Sequence, residues 1–115
     1  MNQILIYEGD KNKSFDANLD DTLIISLKEN PTTGYQWKLD HVNAEIISLE
    51  ESRFFENSVN RIGSGGTRTF TFKARSSGKT KVQLSLKREW EKKMIGVDQF
   101  EVFIQVISQS GQVLQ

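Results

Sequence analysis

Side chains that could carry out catalysis or hold a metal ion are scarce in this sequence. It contains no cysteine, which excludes a thiol nucleophile, a disulfide framework and thiolate metal sites. A Ser-His-Asp triad would depend on the single histidine, His41, which has no polar constellation around it in the sequence. Three aspartates, Asp16, Asp20 and Asp21, lack the spacing, central glycine and terminal glutamate of a calcium loop. The sequence therefore favours a protein that is not an enzyme and that carries no metal or other cofactor.

A glycine-rich segment is the first candidate for binding chemistry. It consists of Gly63, Ser64, Gly65 and Gly66. A dinucleotide fingerprint starting at Gly63 would need a third glycine where Arg68 stands, and a P-loop would need a lysine soon after the last glycine. Neither phosphate-binding motif is present, and no helix is predicted after the segment. Two interpretations remain: a flexible hairpin loop, or a site where missing side chains let another protein's backbone approach closely.

The most informative stretch of the sequence is a short loop motif. It reads Asn30, Pro31, Thr32, Thr33, Gly34 and Tyr35. Pro31, the only proline in the chain, fixes one backbone φ angle, and Asn30 can bond to the backbone just ahead of it. Gly34 permits a positive φ or a close backbone approach. The stretch is either an ordinary strand connection or a rigid tip of small residues built to enter a narrow cleft, since a pre-ordered loop loses little entropy on binding.

The two tryptophans stand in different sequence contexts. Trp90 follows Arg88 and Glu89 at the end of an alternating run, and it begins a charged linker. It is therefore either a core side chain or an exposed anchor, and exposed Trp and Arg are frequent in binding hot spots. Trp37 lies within a strand-like run between polar neighbours, and we predict that it belongs to the core.

Strands with period-two alternation must position these segments. Residues 79–87 give the clearest case, because Val82, Leu84 and Leu86 fall on one face and polar residues on the other. Further candidate strands are residues 4–7, 22–27, 36–40, 46–55, 69–73 and 100–106. Residues 41–50 are the helix candidate, although they also fit a loop followed by a strand. About seven short strands separated by turn residues predict an all-β antiparallel sandwich.

Length, composition and charge limit the class of protein further. The 115 residues fit one domain, residues 1–115, and the 37% hydrophobic and 26% charged content is that of a globular chain. Fifteen basic and fifteen acidic residues cancel, which argues against a general nucleic-acid or membrane-surface binder. No apolar run reaches the roughly 20 residues of a membrane helix. The N-terminal residues carry no secretion signal, so we expect a cytoplasmic location, with a vesicular or secreted location by another route left open.

The loop motif, the glycine-rich segment and the Arg-x-Trp segment, in this order, resemble the chagasin family of cysteine peptidase inhibitors. That family is defined by an Asn-Pro-Thr-Thr-Gly-Tyr/Phe loop, a Gly-x-Gly-Gly loop and an Arg-Pro-Trp-like loop. The corresponding residues here are 30–35, 63–66 and 88–90. Glu89 stands where the family usually has proline, and it adds a negative charge that could narrow the range of targets. The resemblance extends over nearly the whole chain.

The resemblance implies an immunoglobulin-like sandwich whose three loops form a wedge. This wedge would block the active-site cleft of papain-family cysteine peptidases reversibly, competitively and without being cleaved. Thr32 and Thr33 would lie beside the catalytic cysteine of the target. Gly65 and Gly66, with their neighbours, would pair their backbone with the substrate-binding side of the cleft. The arginine and tryptophan of the third loop would pack on the leaving-group side.

Two other functions remain open from the sequence. One is a carbohydrate-binding sandwich module in which Tyr35 and Trp90 would stack on sugar rings. Such modules usually present aromatic residues on a flat face or groove, rather than small threonines between a proline and a glycine. The other is an adhesion or scaffold module that binds a protein partner through a sheet edge, in which case the loops would tolerate mutation and the strands would not.

Overall fold

Strands with one buried face make up most of the fold, as the alternation predicts. The computed structural model describes residues 2–56, 65–88 and 98–108. Its strands are β1 (Gln3–Tyr7), β2 (Ser14–Asn18), β3 (Thr22–Glu29), β4 (Tyr35–His41), β5 (Ile47–Glu56), β6 (Gly66–Ala74), β7 (Gly78–Arg88) and β8 (Asp98–Ile107). Two short 3-10 turns, Glu8–Asp10 and Pro31–Thr33, follow β1 and β3.

The described strands form two four-stranded sheets. The first sheet has the order β1-β3-β6-β5 and the second has the order β2-β8-β7-β4. The pairings made by β6 and β7 are all antiparallel, whereas the edge strands β1 and β2 run parallel to β3 and β8. These two parallel pairs differ from the antiparallel expectation. The turn after β1 carries the chain from the first sheet to the second, so β1 and β2 lie at the edges of different sheets and do not form a hairpin.

Strand β2 has no counterpart among the strands predicted from the sequence. Only Phe15 and Ala17 of its five residues are apolar, so the run is too short for alternation to stand out. Ala17 is nevertheless buried in the core. In the turn before β2, the Asp10 carboxylate accepts a hydrogen bond from the Tyr7 backbone N–H at 2.9 Å, and this bond lowers the pKa of Asp10 below its usual value.

Residues 41–50 contain no helix. Strand β4 ends at His41 and β5 begins at Ile47, so the alternative of a loop followed by a strand is the correct one. The Asn43 carbonyl oxygen closes the connecting turn by accepting the Ile46 and Ile47 N–H groups at 3.0 and 3.1 Å. The buried side chain of Ile47 then anchors the start of β5 in the core.

The inner faces of the two sheets meet in an apolar core. It includes Leu23, Ile25 and Leu27 of β3, Phe70 and Phe72 of β6, Val82 and Leu84 of β7, and Val102 and Ile104 of β8. Trp37 of β4 is 3% exposed, which confirms that it is a core tryptophan. Its indole N–H donates to the Lys28 carbonyl oxygen at 2.9 Å, so the polar atom is satisfied and β4 is tied to β3 across the two sheets.

Candidate functional site

Strand pairing brings three segments that are distant in sequence to one end of the sandwich. In the first sheet, Gly66 at the start of β6 is paired with Glu29 at the end of β3 and with Glu56 at the end of β5. In the second sheet, Tyr35 at the start of β4 is paired with Arg88 at the end of β7. The β3–β4, β5–β6 and β7–β8 connections therefore all leave from this end, which we call the loop end. We call these connections the first, second and third loops.

The β3–β4 connection, or first loop, is held by its own hydrogen bonds. Asn30 Oδ1 accepts the Thr32 backbone N–H at 3.1 Å and the Thr32 hydroxyl at 2.7 Å. The Thr33 hydroxyl donates to the Asn30 carbonyl oxygen at 2.7 Å and accepts the Tyr35 N–H at 3.2 Å. Every partner in this set lies within three residues, so the loop is ordered without help from a binding partner.

Backbone geometry explains the residue types at both ends of the first loop. Asn30 has φ −119° and ψ 102°, which is the extended region favoured before proline. Gly34 has φ 81°, in the left-handed region that glycine adopts without steric cost. The Gly34 N–H donates to the Pro31 carbonyl oxygen at 3.1 Å and closes the turn. Pro31, Thr32 and Thr33 stay exposed, so the loop presents a small, closed tip to solvent.

The glycines at the start of β6 are required by packing within the chain. A Cβ atom at Gly66 would lie 2.0 Å from the Phe55 carbonyl oxygen, because β5 passes directly beside this position. A Cβ atom at Gly65 would lie 2.8 Å from the Glu29 carbonyl oxygen, and Gly65 also has a positive φ of 76°. The end of the second loop at Gly65 therefore packs against the base of the first loop at Glu29.

The end of β7, where the third loop begins, also contacts the first loop. The Arg88 guanidinium lies over the ring of Tyr35, with 4.5 Å between the guanidinium carbon and the ring centroid. This distance is within the range of cation–π attraction. Since Tyr35 is the last residue of the first motif, the contact joins the end of β7 to the end of the first loop.

The described residues of the predicted site lie together at the loop end. They are Asn30, Pro31, Thr32, Thr33, Gly34, Tyr35, Gly65, Gly66 and Arg88. The other predicted site residues, Gly63, Ser64, Glu89 and Trp90, lie outside the described residues. The contribution to binding of all thirteen predicted site residues, described or not, stays a prediction.

A buried ion pair beneath the first loop has no counterpart among the residues predicted from the sequence. Arg68 Nη2 lies 2.9 Å from Glu29 Oε2, and Glu29 is only 5% exposed. The alternation carried a signal for it, because Leu27 and Phe70 face the core and the next inward positions are Glu29 and Arg68. Opposite charges at inward positions of two neighbouring strands predict a buried pair once the register is known.

The described part of the loop end offers backbone, hydroxyl and aromatic groups to a partner. His41 lies at the opposite end of β4, away from these groups. Within residues 2–56, 65–88 and 98–108, no three or more His, Cys, Asp or Glu side chains are grouped so that they could hold a metal ion. None of the helices described in this chain has the length and apolar character needed to cross a membrane.

The fold and the loop end together define a β-sandwich that presents three neighbouring connections from one end. The family model described as "Chagasin family peptidase inhibitor I42" matches residues 16–104. This chain therefore belongs to the chagasin family of peptidase inhibitors, which confirms the family that the three motifs resemble. Its family is one of inhibitors rather than enzymes.

Individual relatives agree with this assignment. The chain is 27% identical over 84 residues to chagasin of Trypanosoma cruzi, which covers 70% of this chain and 76% of chagasin. The crystal structure of the cysteine protease inhibitor EhICP2 from Entamoeba histolytica is similar with a TM-score of 0.81 at 20% identity, covering 93% of this chain and 97% of that one. PbICP-C, solved in complex with falcipain-2, gives a TM-score of 0.63 at 16% identity and covers 95% and 100%. These structures confirm the immunoglobulin-like β-sandwich.

Proposed function

We propose that this chain is a reversible, competitive inhibitor of papain-family cysteine peptidases that inserts the three loops of the loop end into the active-site cleft. The observation that carries the proposal is the first loop, whose small exposed tip is held by the bonds that Asn30 accepts. A loop that is already ordered loses little conformational entropy when it enters a cleft. Membership of the inhibitor family, and the cysteine protease inhibitors among the structural relatives, support the target class.

In this proposal the two threonines fill the cleft beside the target's catalytic cysteine. Both hydroxyl groups donate within the loop, to Asn30 Oδ1 from Thr32 and to the Asn30 carbonyl oxygen from Thr33. The hydroxyl protons are therefore already used within the loop, and its exposed tip offers the target backbone and small side chains. Small side chains on a closed turn give a narrow profile, which suits a cleft that normally receives an extended peptide.

The second loop lies along the substrate-binding side of the cleft, where backbone pairing gives affinity without a strong sequence preference. Gly66 itself already lies between β3 and β5, in register with Glu29 and Glu56. We therefore assign the pairing with the target to Gly65 and the residues before it, Gly63 and Ser64, and no longer to Gly66, which the resemblance also implied.

The third loop packs on the leaving-group side of the cleft through Arg88 and Trp90. The stacking of Arg88 on Tyr35 supports this role, because it gives the start of the third loop a fixed relation to the first. Glu89 brings a negative charge to the same loop. We therefore expect targets with an acidic surface on that side of the cleft to be inhibited less strongly.

A titration of papain with the purified chain tests the proposed function. We expect residual activity to fall with inhibitor concentration, to recover with excess substrate and to return on dilution. Trypsin is the control, and it should keep its full activity. Intact papain activity at micromolar inhibitor, or equal inhibition of trypsin, would contradict the proposal.

The carbohydrate-binding alternative is less well supported by the loop end. Tyr35 would have to stack on a sugar ring, but the Arg88 guanidinium already covers one face of its side chain. A glycan array without hits, next to inhibition of papain, separates the two functions. In an adhesion module, by contrast, substitutions in the first loop would leave partner binding unchanged.

A further inference from the structure

The ion pair beneath the first loop connects several strands of the loop end. The Glu29 carboxylate accepts hydrogen bonds from Arg68 Nη2 at 2.9 Å and from Arg68 Nε at 3.3 Å. It also accepts the backbone N–H of Trp37 at 2.8 Å. Glu29 ends the strand that enters the first loop, Trp37 lies on the strand that leaves it, and Arg68 lies on the strand that leaves the second. One carboxylate therefore joins three strands.

Stability alone does not account for a charged pair at this position. The neighbouring inward residues of β3 and β6 are apolar, for example Leu27 and Phe70. Well-packed apolar residues in place of a buried ion pair are often as stable or more stable. Apolar residues would not fix the relative orientation of the strands. The carboxylate does fix it, because its hydrogen bonds to Trp37 and Arg68 are directional.

The neighbouring contacts extend this arrangement to the second loop. The Arg68 guanidinium carbon lies 5.6 Å from the centroid of the Phe54 ring, and Phe54 is on the strand that enters the second loop. A Cβ atom at Gly65 would lie 2.8 Å from the Glu29 carbonyl oxygen, so the backbone of the second loop approaches Glu29 closely. Strands that enter and leave both loops thus meet at Glu29 and Arg68.

We infer that Glu29 and Arg68 are positioning residues that fix the direction of the first loop relative to the second. The bonds within the first loop set its internal shape. The direction in which the loop leaves the sandwich depends on the strand ends at its base, which Glu29 and Arg68 hold together. Without the ion pair, the loop would occupy several directions, and only one of them would fit the cleft. The apparent affinity then falls by the fraction of molecules that have the competent direction. This inference rests on the proposed function, in which both loops enter one cleft.

The test uses Glu29→Gln in the full chain. Glutamine keeps the size of the side chain and a carbonyl acceptor for the Trp37 N–H, but it removes the charge that faces Arg68. We expect the association rate constant with papain to fall roughly tenfold, with the dissociation rate constant changed less than about twofold. Arg68→Met should reproduce this effect, and Arg68→Lys, which keeps the charge, should restore most of the association rate.

A second ion pair of the same residue types provides the matched control. Arg75 and Glu50 lie near the other end of the same sheet, with 3.1 Å between Nη2 and Oε2, and their side chains are 50% and 44% exposed. Glu50→Gln and Arg75→Met should leave both rate constants unchanged. Amide hydrogen exchange at Trp37, whose N–H donates to Glu29 at the base of the first loop, gives a readout that needs no peptidase. Exchange should become faster in Glu29→Gln and stay unchanged in Glu50→Gln.

The outcomes separate a positioning role from a structural one. If Glu29 only stabilises the fold, Glu29→Gln will melt at a lower temperature but will associate normally while it is folded, and this result would overturn the inference. Should Glu29→Gln not fold, the comparison of Arg68→Met with Arg68→Lys decides the question. Should the wild-type chain not inhibit papain, the proposed function fails, and amide exchange still decides: faster exchange supports the inference, and unchanged exchange overturns it.

Discussion

Asn30 organises the first loop through two atoms, its side-chain Oδ1 and its carbonyl oxygen, which accept bonds from both threonines of the tip. The proline that follows fixes one φ angle, so the remaining freedom of the turn is removed by bonds that span at most three residues. At the scale of single residues, the loop is therefore a local structure. Its residues can be tested without disturbing the core.

Asn30→Ala should weaken inhibition of papain about fivefold, because loss of a capping side chain costs about 1 kcal/mol of local order. Asn43→Ala is the control, since Asn43 Oδ1 accepts the Glu45 N–H at 3.0 Å in a turn at the opposite end of the sandwich. We expect similar small losses of thermal stability in both variants, and a change in the inhibition constant only for Asn30→Ala. Equal inhibition constants would argue against the role of Asn30 in binding.

Trp90→Ala should weaken inhibition more strongly than any truncation in the first loop. A buried aromatic anchor contributes about 2 kcal/mol, which corresponds to roughly thirtyfold in the inhibition constant. Thr32→Ala removes little contact area and should cost less, whereas Thr32→Trp should block seating of the wedge. Thermal melts accompany each measurement. If Trp90→Ala melts far below the wild type while its folded fraction inhibits fully, Trp90 is a core side chain and the third-loop assignment is wrong.

At the scale of elements, the first residue of β6 is where three strands meet. Gly66 is paired with Glu29 on one side and with Glu56 on the other, at the point where β3 ends, β5 ends and β6 begins. The approach of β5 leaves no room for a side chain at this position. The glycine pattern that resembles a binding motif is thus also a packing requirement of the first sheet.

Gly66→Ala should destabilise the fold by about 3 kcal/mol, because its Cβ would lie 2.0 Å from the Phe55 carbonyl oxygen and β5 would have to move. Gly9→Ala is the control, since no atom outside the local backbone lies within 4 Å of the Cβ position there. Urea denaturation of both variants measures the free energies of unfolding. Equal stability of Gly66→Ala and the wild type would contradict the close approach of β5 to β6.

At the scale of the whole molecule, the two sheets act as a frame for one composite surface. The first loop joins the sheets, and the second and third loops leave from one sheet each. Contacts across the sheets, such as the bond from the Trp37 indole to Lys28, fix the frame. The surface at the loop end therefore depends on the packing of both sheets, and no single loop forms it alone.

Long incubation with active papain should leave the chain intact at 13.2 kDa. The closed turn in the first loop keeps the peptide bonds of the tip out of an extended conformation, so they do not reach the aligned geometry that attack by the catalytic cysteine requires. Mass spectrometry of the mixture provides the measurement, with denatured chain as the control that should be digested. A dominant product cut within residues 32–34 would indicate a substrate-like mechanism.

The local pattern of residue types in the sequence determined most of the strands and the shape of the first loop. The alternation in residues 79–87 and 100–106 predicts β7 and β8, and the run around Trp37 predicts a core tryptophan, because a strand with one buried face needs an apolar residue at every second position. The first loop was predictable for the same kind of reason. Asn30, Pro31 and Gly34 act on backbone within a few residues of themselves, so their types already specify a closed turn.

Tertiary structure decided the rest, since it depends on residues that are far apart in sequence. Strand β2 lies where it does because β8 offers it an edge, and its own five residues carry too little alternation to predict it. Glu29 and Arg68 are 39 residues apart, and the register of β3 and β6 is what places them together. A carboxylate and a guanidinium are buried at low cost only when they are paired with each other. The sequence shows both charges but does not show that they lie together.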